Sequence, residues 1–305
     1  MIKLTTFGES HGTAVGGVME GCPPGLKIDR QFIADELARR ATGKTSSESQ
    51  RRETDEVEFL SGLLDDVTLG TPIAFLVRNI DARSEDYEAL KDTFRPSHAD
   101  YTYQVKYGIR DWRGGGRASA RTMLPYVVAG AITKQILQQR GITIRAEVQS
   151  IGGETDPSRI EALLSKCREE GDSVGGMVHG SITGLPVGLG EPLDDKFQAC
   201  LAKAMFTIPA VKGFEYGDGF AMAAMKGSEA NDPIVINDNG SVKFLSKHSC
   251  GIQGGITNGE EVFFNVAFKP IPTIGRGDRH DVCALPRAVV IVEAMAALTV
   301  MQFMS

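Results

Sequence analysis

An eight-residue pattern occurs twice in this chain. Ala14-Val15-Gly16-Gly17-Val18-Met19-Glu20-Gly21 resembles Ser173-Val174-Gly175-Gly176-Met177-Val178-His179-Gly180, and each copy is followed by a Pro/Gly turn and an amphipathic segment. The match continues at a nearly constant offset, with Asp29 to Ala34 opposite Asp194 to Ala199 and Phe32 opposite Phe197. Strand-turn-helix units are common enough for two to look alike by chance. The sharper reading is a duplicated half, which predicts two similar layers around one continuous core.

The surrounding periodicity is mixed. Short alternating β-like runs (Ile2 to Phe7, Val15 to Met19, Ile73 to Arg78, Val262 to Phe268) are interleaved with segments whose apolar residues recur every three or four positions. Helices are predicted at Asp29 to Arg40, Met123 to Arg140, Pro157 to Glu170, Asp194 to Phe206 and Pro286 to Met301. Asp156-Pro157 and Gly171 give the third a good start and stop. Asp238-Asn239-Gly240 predicts a hairpin over Ile234 to Phe244. No low-complexity linker divides the chain, and 305 residues accommodate one large domain or two smaller ones.

Hydrophobic residues at 42% and charged residues at 24% belong to a globular protein rather than a disordered one. A net charge of -6 argues against a general nucleic-acid binder, so any basic function is local. Five cysteines, odd in number and without a C-x-x-C pair, suit free thiols in a reducing compartment, the cytoplasm. Met1 to Phe7 already alternates like a strand, which leaves no room for a signal peptide before it. No apolar stretch reads as long enough to span a bilayer. The closest, Ala288 to Met301, is interrupted by Glu293 and reads as a buried helix.

The basic function is concentrated between Arg95 and Arg121, where Arg95, Lys106, Arg110, Arg113, Arg117 and Arg121 stand against Asp100 and Asp111. Arginine forks match carboxylate and phosphate oxygens, and glycine lets backbone amides approach an anion. Arg113-Gly114-Gly115-Gly116-Arg117 therefore reads as an anion-binding turn, with Ser119 just ahead of a long helix whose N-terminus favours negative charge. The alternative is a solvated basic loop. His98 stands three residues from Arg95, where positive neighbours lower its pKa and a bound phosphate raises it; such a group serves as a general acid once an anion arrives. His11, in Gly8-Glu9-Ser10-His11-Gly12, follows the first strand with glycines beside it. Either histidine is a catalytic candidate or a structural one on this evidence of position alone. Gly43-Lys44-Thr45 is not a P-loop, because position 38 is Ala38 where that motif needs glycine. His248-Ser249-Cys250 and His280-Asp281-Val282-Cys283 lack zinc-knuckle spacing, so no metal is expected.

Taken in order, these motifs resemble the chorismate synthase family. The resemblance rests on Gly8 to Gly12, Arg95 to Tyr103, Lys106-Tyr107-Gly108 through Arg121, Gly254-Gly255-Ile256 with Asn258-Gly259, Lys269-Pro270, and Arg279-His280-Asp281 followed by Glu293-Ala294-Met295. It spans 1–305 as a single domain and implies 1,4-elimination of phosphate from 5-enolpyruvylshikimate 3-phosphate, with reduced FMN (FMNH2) required and no net redox change. The implied fold is α+β, two antiparallel β-sheets packed as a sandwich with flanking helices, in a homotetramer. Carried over by position, His11 meets the departing phosphate, His98 keeps the reduced flavin correctly protonated, and Asp281 assists proton removal. Ser10, Arg40, Arg95, Arg121 and Arg279 match substrate positions. Arg117, Ala118, Ser119, Ala210, Gly254, Lys269, Pro270, Ile271, Pro272, Thr273 and Arg279 match flavin positions. No extra dinucleotide-binding segment is visible, which favours a separate flavin reductase, with NADPH as candidate ultimate reductant.

The chain also departs from the family pattern. Ala41-Thr42 replaces Arg-Pro, Ser46 replaces an arginine, Thr122 replaces Glu and Tyr126 replaces an arginine. The connections near Gly153 to Pro157 and Ile274 to Asp278 are short. Two rivals follow: a flavin-independent phosphate lyase or phosphatase using the histidines alone, and a non-catalytic anion-binding relative.

Overall fold

The computed structural model describes residues 2–41, 54–81, 84–275 and 281–304. Eight main strands form two antiparallel sheets. The first holds β1 (Lys3–Phe7), β2 (Ala14–Glu20), β3 (Val57–Phe59) and β4 (Ile73–Arg78) in the spatial order β1-β2-β4-β3. The second holds β5 (Thr143–Ile151), β6 (Gly176–Thr183), β7 (Val211–Tyr216) and β8 (Val262–Phe268) in the order β5-β6-β8-β7. The main helices are α1 (Arg30–Arg40), α2 (Asp100–Tyr107), α3 (Leu124–Gln139), α4 (Pro157–Glu170), α5 (Phe197–Thr207) and α6 (Leu285–Gln302). A helix separates the second and third strands of each sheet, α1 in one half and α5 in the other. Another follows the last strand of each, α3 and α6. The repeated pattern is β2 and β6, equivalent strands in two sheets of one order, which favours duplication over chance.

Period-two alternation sets which faces are buried. Val262, Phe264, Val266 and Phe268 of β8 are buried, as are Ile73, Phe75 and Val77 of β4. These rows face helices rather than the other sheet. Helix α3 packs on β1 and β2, α6 packs on β5 and β6, and the two helices pack on each other. The layer order is thus sheet, helix, helix, sheet, with one hydrophobic cluster running through all four. Both central helices are buried along nearly their whole length, as helices covered from two sides must be. Gly130 of α3 allows this approach, because a Cβ there would lie 2.4 Å from the Cβ of Ala294.

A buried charge network ties the layers together. Lys134 of α3 pairs with both Glu36 of α1 and Glu293 of α6. Arg39 adds bonds of 2.6 Å to Glu36 and 2.7 Å to Glu293, and the Ala146 amide of β5 donates to Glu293 at 3.0 Å. Burial alone would raise the Glu293 pKa, but Arg39 and Lys134 outweigh it and hold it below the usual range. Helix α6 is longer than its sequence suggested: its 18 residues reach the length and apolarity of a membrane span. It is nonetheless 78% buried inside the fold.

Helix α4 has the predicted limits, with Asp156 accepting from the amides of Ser158 and Arg159 and Gly171 closing the helix at φ +70°. The hairpin at Ile234–Ile236 and Val242–Phe244 also forms. Helix α5 begins at Phe197 rather than Asp194. The preceding residues are drawn into a turn in which Glu191 N donates to Asp195 O at 3.0 Å, while Phe197 N reaches Gly255 O at 2.8 Å.

Candidate active site

One cavity of about 610 Å³ opens where loops of the two halves meet. The first half contributes the β1–β2 turn, the 95–99 loop, the glycine turn and the lead into α3; the second contributes 207–210, the exit of β8 and the start of α6. Lys269 links the halves directly, its Nζ donating to Ser97 O at 2.7 Å.

The His11 turn is pinned from two sides. Asn79 Nδ2 donates to Glu9 O at 3.0 Å and Gly12 O at 2.8 Å, and Arg117 Nη1 donates to Gly8 O at 2.9 Å. The Tyr87 ring meets His11 edge-on, with centroids 4.9 Å apart. Gly114 also meets this ring, and a Cβ there would fall 2.0 Å from it. Gly115 gives His98 similar room, at 3.1 Å from a Cβ to the ring. The triple glycine, at φ +57°, +84° and +53°, is therefore a seat for the two imidazoles.

Asp100, first residue of α2, organises His98. It accepts from Arg95 Nε at 2.8 Å, and its Oδ1 lies 2.9 Å from His98 Nδ1, an ion pair only while that imidazole is protonated. Burial would raise the Asp100 pKa, but its hydrogen bonds to Arg95 and the nearby charges hold it well below the usual carboxylate range. His98 is pushed below its ordinary 6.5, first by burial and then by Arg95, against the pull of Asp100. Its folded pKa is thus below its unfolded one, so the unfolded state takes up protons first and stability falls as pH drops below 6.5. Melting temperatures from pH 8 to pH 5 should decline more steeply for the wild type than for His98→Gln; parallel curves would contradict this.

The cations divide into two groups. Arg110, bonded to the carbonyls of Leu90, Lys91 and Thr93 and to Asp100, and Arg113, paired with Asp111 at 2.8 Å, hold loops together and do not line the cavity. That corrects the reading of the whole basic segment as anion-binding. Arg40, Arg95, Arg117, Arg121 and Lys269 do line it. Arg117 is held by neutral acceptors, Gly8 O and Thr6 Oγ1 at 2.8 Å, so its charge stays available to an anion.

Ser10, His11, Arg40, Arg95, His98, Arg117, Ala118, Ser119, Arg121, Ala210, Lys269, Ile271, Pro272, Thr273 and Asp281 all line this cavity. Pro270 is next to the wall but exposed. Gly254 sits at the turn between the short strands Ile252–Gln253 and Ile256–Thr257, with open space around it, and is not a lining residue. Arg279 and Ser46 lie outside the described residues. Thr122 and Tyr126, two departures from the family pattern, line the wall, and the Thr122 hydroxyl donates to Ser119 O at 2.7 Å. Sequence reasoning missed Asp55, Tyr87 and Arg287. Arg287 pairs with Asp281 at 2.6 Å.

Cations held by neutral acceptors beside two imidazoles are what a phosphate-releasing enzyme needs: charge to receive the leaving anion and a proton donor to meet it. Comparison with known proteins is specific. The family model for chorismate synthase matches residues 2–305. The chorismate synthase of Porphyromonas gingivalis is 48% identical over 340 aligned positions, covering 98% of this chain and 92% of that one. That of Cytophaga hutchinsonii is 46% identical, covering 99% and 95%. A crystal structure of chorismate synthase superposes with TM-score 0.82 at 30% identity, covering 99% of this chain and 91% of that one. The chain belongs to the chorismate synthase family, lyases of the shikimate route that convert 5-enolpyruvylshikimate 3-phosphate to chorismate and phosphate with the help of a reduced flavin. The 340 aligned positions exceed the 305 residues here, so the relative carries segments absent from this chain.

Proposed function

We propose that the cavity holds reduced FMN and 5-enolpyruvylshikimate 3-phosphate together, and that phosphate leaves from it in a 1,4-elimination. What carries the reading is that residues scattered from Ser10 to Asp281, assigned by motif alone, converge on one cavity wall. The size suits a small-molecule site, and the buried Nε atoms of Arg40 and Arg287, without hydrogen-bond partners among the described residues, are donors suited to anionic guests. Arg117, Ala118, Ser119, Ala210, Lys269 and Ile271 to Thr273 would hold the flavin. Reduced flavin supplies an electron-rich ring that shares transient charge with the substrate. Arg40, Arg95, Arg121 and Ser10 hold substrate anions, with Arg279 assigned to the same group by its motif. His11 donates to the departing phosphate, and Asp281, held by Arg287, serves proton removal. His98, neutral before an anion arrives, gains its proton when one does.

The chain works as one domain in a homotetramer in the cytoplasm, and a separate reductase, drawing on NADPH, keeps its flavin reduced. Anaerobic incubation with chemically reduced FMN and the enolpyruvyl substrate should yield chorismate and phosphate. His11→Ala and His98→Ala should each lower turnover by about 10²-fold or more with the fold intact. Well-folded, flavin-binding protein that forms no chorismate would sink the assignment, and loss of folding in the variants would return both histidines to a structural role.

A further inference from the structure

Asp55 lines the cavity, is 6% exposed and takes an uncommon left-handed backbone at φ +46°. Its two oxygens go to two different arginines of the wall: Oδ1 accepts from Arg121 Nη1 at 2.8 Å and Oδ2 from Arg40 Nη2 at 3.1 Å. Both arginine side chains are buried with the carboxylate. Arg121 is further oriented by Asn79 Oδ1 and by Arg78 O at 3.1 Å. Among the described residues Arg40 has no such second brace, and its Nε has no hydrogen-bond partner. Burial would raise the Asp55 pKa, yet the two arginines outweigh it and keep the carboxylate ionised. Arg40 is pressed the other way, first by burial and then by the like charges of Arg121 and Arg287.

We infer that Asp55 is the positioning residue that holds Arg40 and Arg121 side by side as one anion-receiving pair, each sharing half of a single carboxylate. Two buried guanidiniums facing one cavity repel each other, and without a fixed anion between them they turn apart before substrate arrives. Asp55 keeps them together while leaving the pair one net positive charge for the incoming anion. The proposal rests on the substrate role given above to Arg40 and Arg121.

The test is steady-state kinetics on Asp55→Asn, Asp55→Glu, Arg40→Met, Arg121→Met and the double variant Arg40→Met with Asp55→Asn. Asp55→Asn should raise KM for the enolpyruvyl substrate on the order of ten- to a hundredfold, the size of a mispositioned charge-assisted hydrogen bond, with kcat changed far less. Asp55→Glu should recover part of that loss. In the Arg40→Met background, adding Asp55→Asn should raise KM by a smaller factor than it does alone, because its effect passes through Arg40. If the arginine variants raise KM and soluble, flavin-binding Asp55→Asn and Asp55→Glu do not, this inference is wrong. If the arginine variants leave KM unchanged, the substrate-clamp reading itself fails.

Discussion

Replacing Gly114 by alanine is expected to lower kcat/KM by about 10²-fold or more, as much as removing a general acid. The added methyl would fall 2.0 Å from the His11 ring, well inside van der Waals contact, so the ring has to leave its pose. Tyr87 packs edge-on against the same ring, so the displaced imidazole has to take another rotamer. The left-handed backbone adds only about 1–2 kcal/mol of strain. Activity should therefore collapse in a protein that still melts cooperatively, within a few degrees of the wild type. Near-normal turnover in Gly114→Ala would mean that the pose of His11 does not matter to the chemistry.

The largest expected loss of stability lies elsewhere, at Lys134→Met. The ammonium is enclosed between Glu36 and Glu293, each about as buried as the lysine itself. Methionine fills the space but leaves two carboxylates facing each other with only the half-exposed Arg39 to balance them. Breaking a buried pair in this way costs about 3–5 kcal/mol. For a domain of this size that is a fall of roughly 5–15 °C in Tm. Adding Glu293→Gln should restore part of it by removing one of the stranded charges. A melting temperature unchanged in Lys134→Met would show that the network contributes little.

How much of this was legible beforehand depended on whether the signal was local. Helix α4 could be bounded from sequence because Asp156-Pro157 and Gly171 act on their immediate neighbours. The start of α5 could not, because Phe197 is captured by a carbonyl of Gly255, far along the chain. Motifs in family order identified most of the cavity wall. Asp55, Tyr87 and Arg287 escaped because each is an isolated residue whose meaning comes from a partner that only the fold supplies: Arg40 and Arg121, His11, and Asp281. The sorting of the basic segment was half visible. Asp111, two residues from Arg113, marked that arginine as paired, whereas the carbonyls that hold Arg110 lie some twenty residues earlier. The layer order had one overlooked cue, the nearly all-round apolar character of α3 and α6, which a helix with one exposed face would not show.

The two sheets share one strand order, yet the chain's chemistry is not repeated. Among the histidines described in the second half, His179 is bonded to Asn265 and His248 to Asp218, and neither lines the cavity. In the first half the link between the opening strands is the short turn that carries His11; in the second, the same position is occupied by α4. The two halves, alike in strand order, thus contribute unlike parts to one cavity. The first brings both imidazoles, His11 and His98, to the wall, and the second brings Lys269, Ile271 to Thr273 and the carboxylate of Asp281. The site is therefore a property of the seam, and a shift of either half against the other opens it.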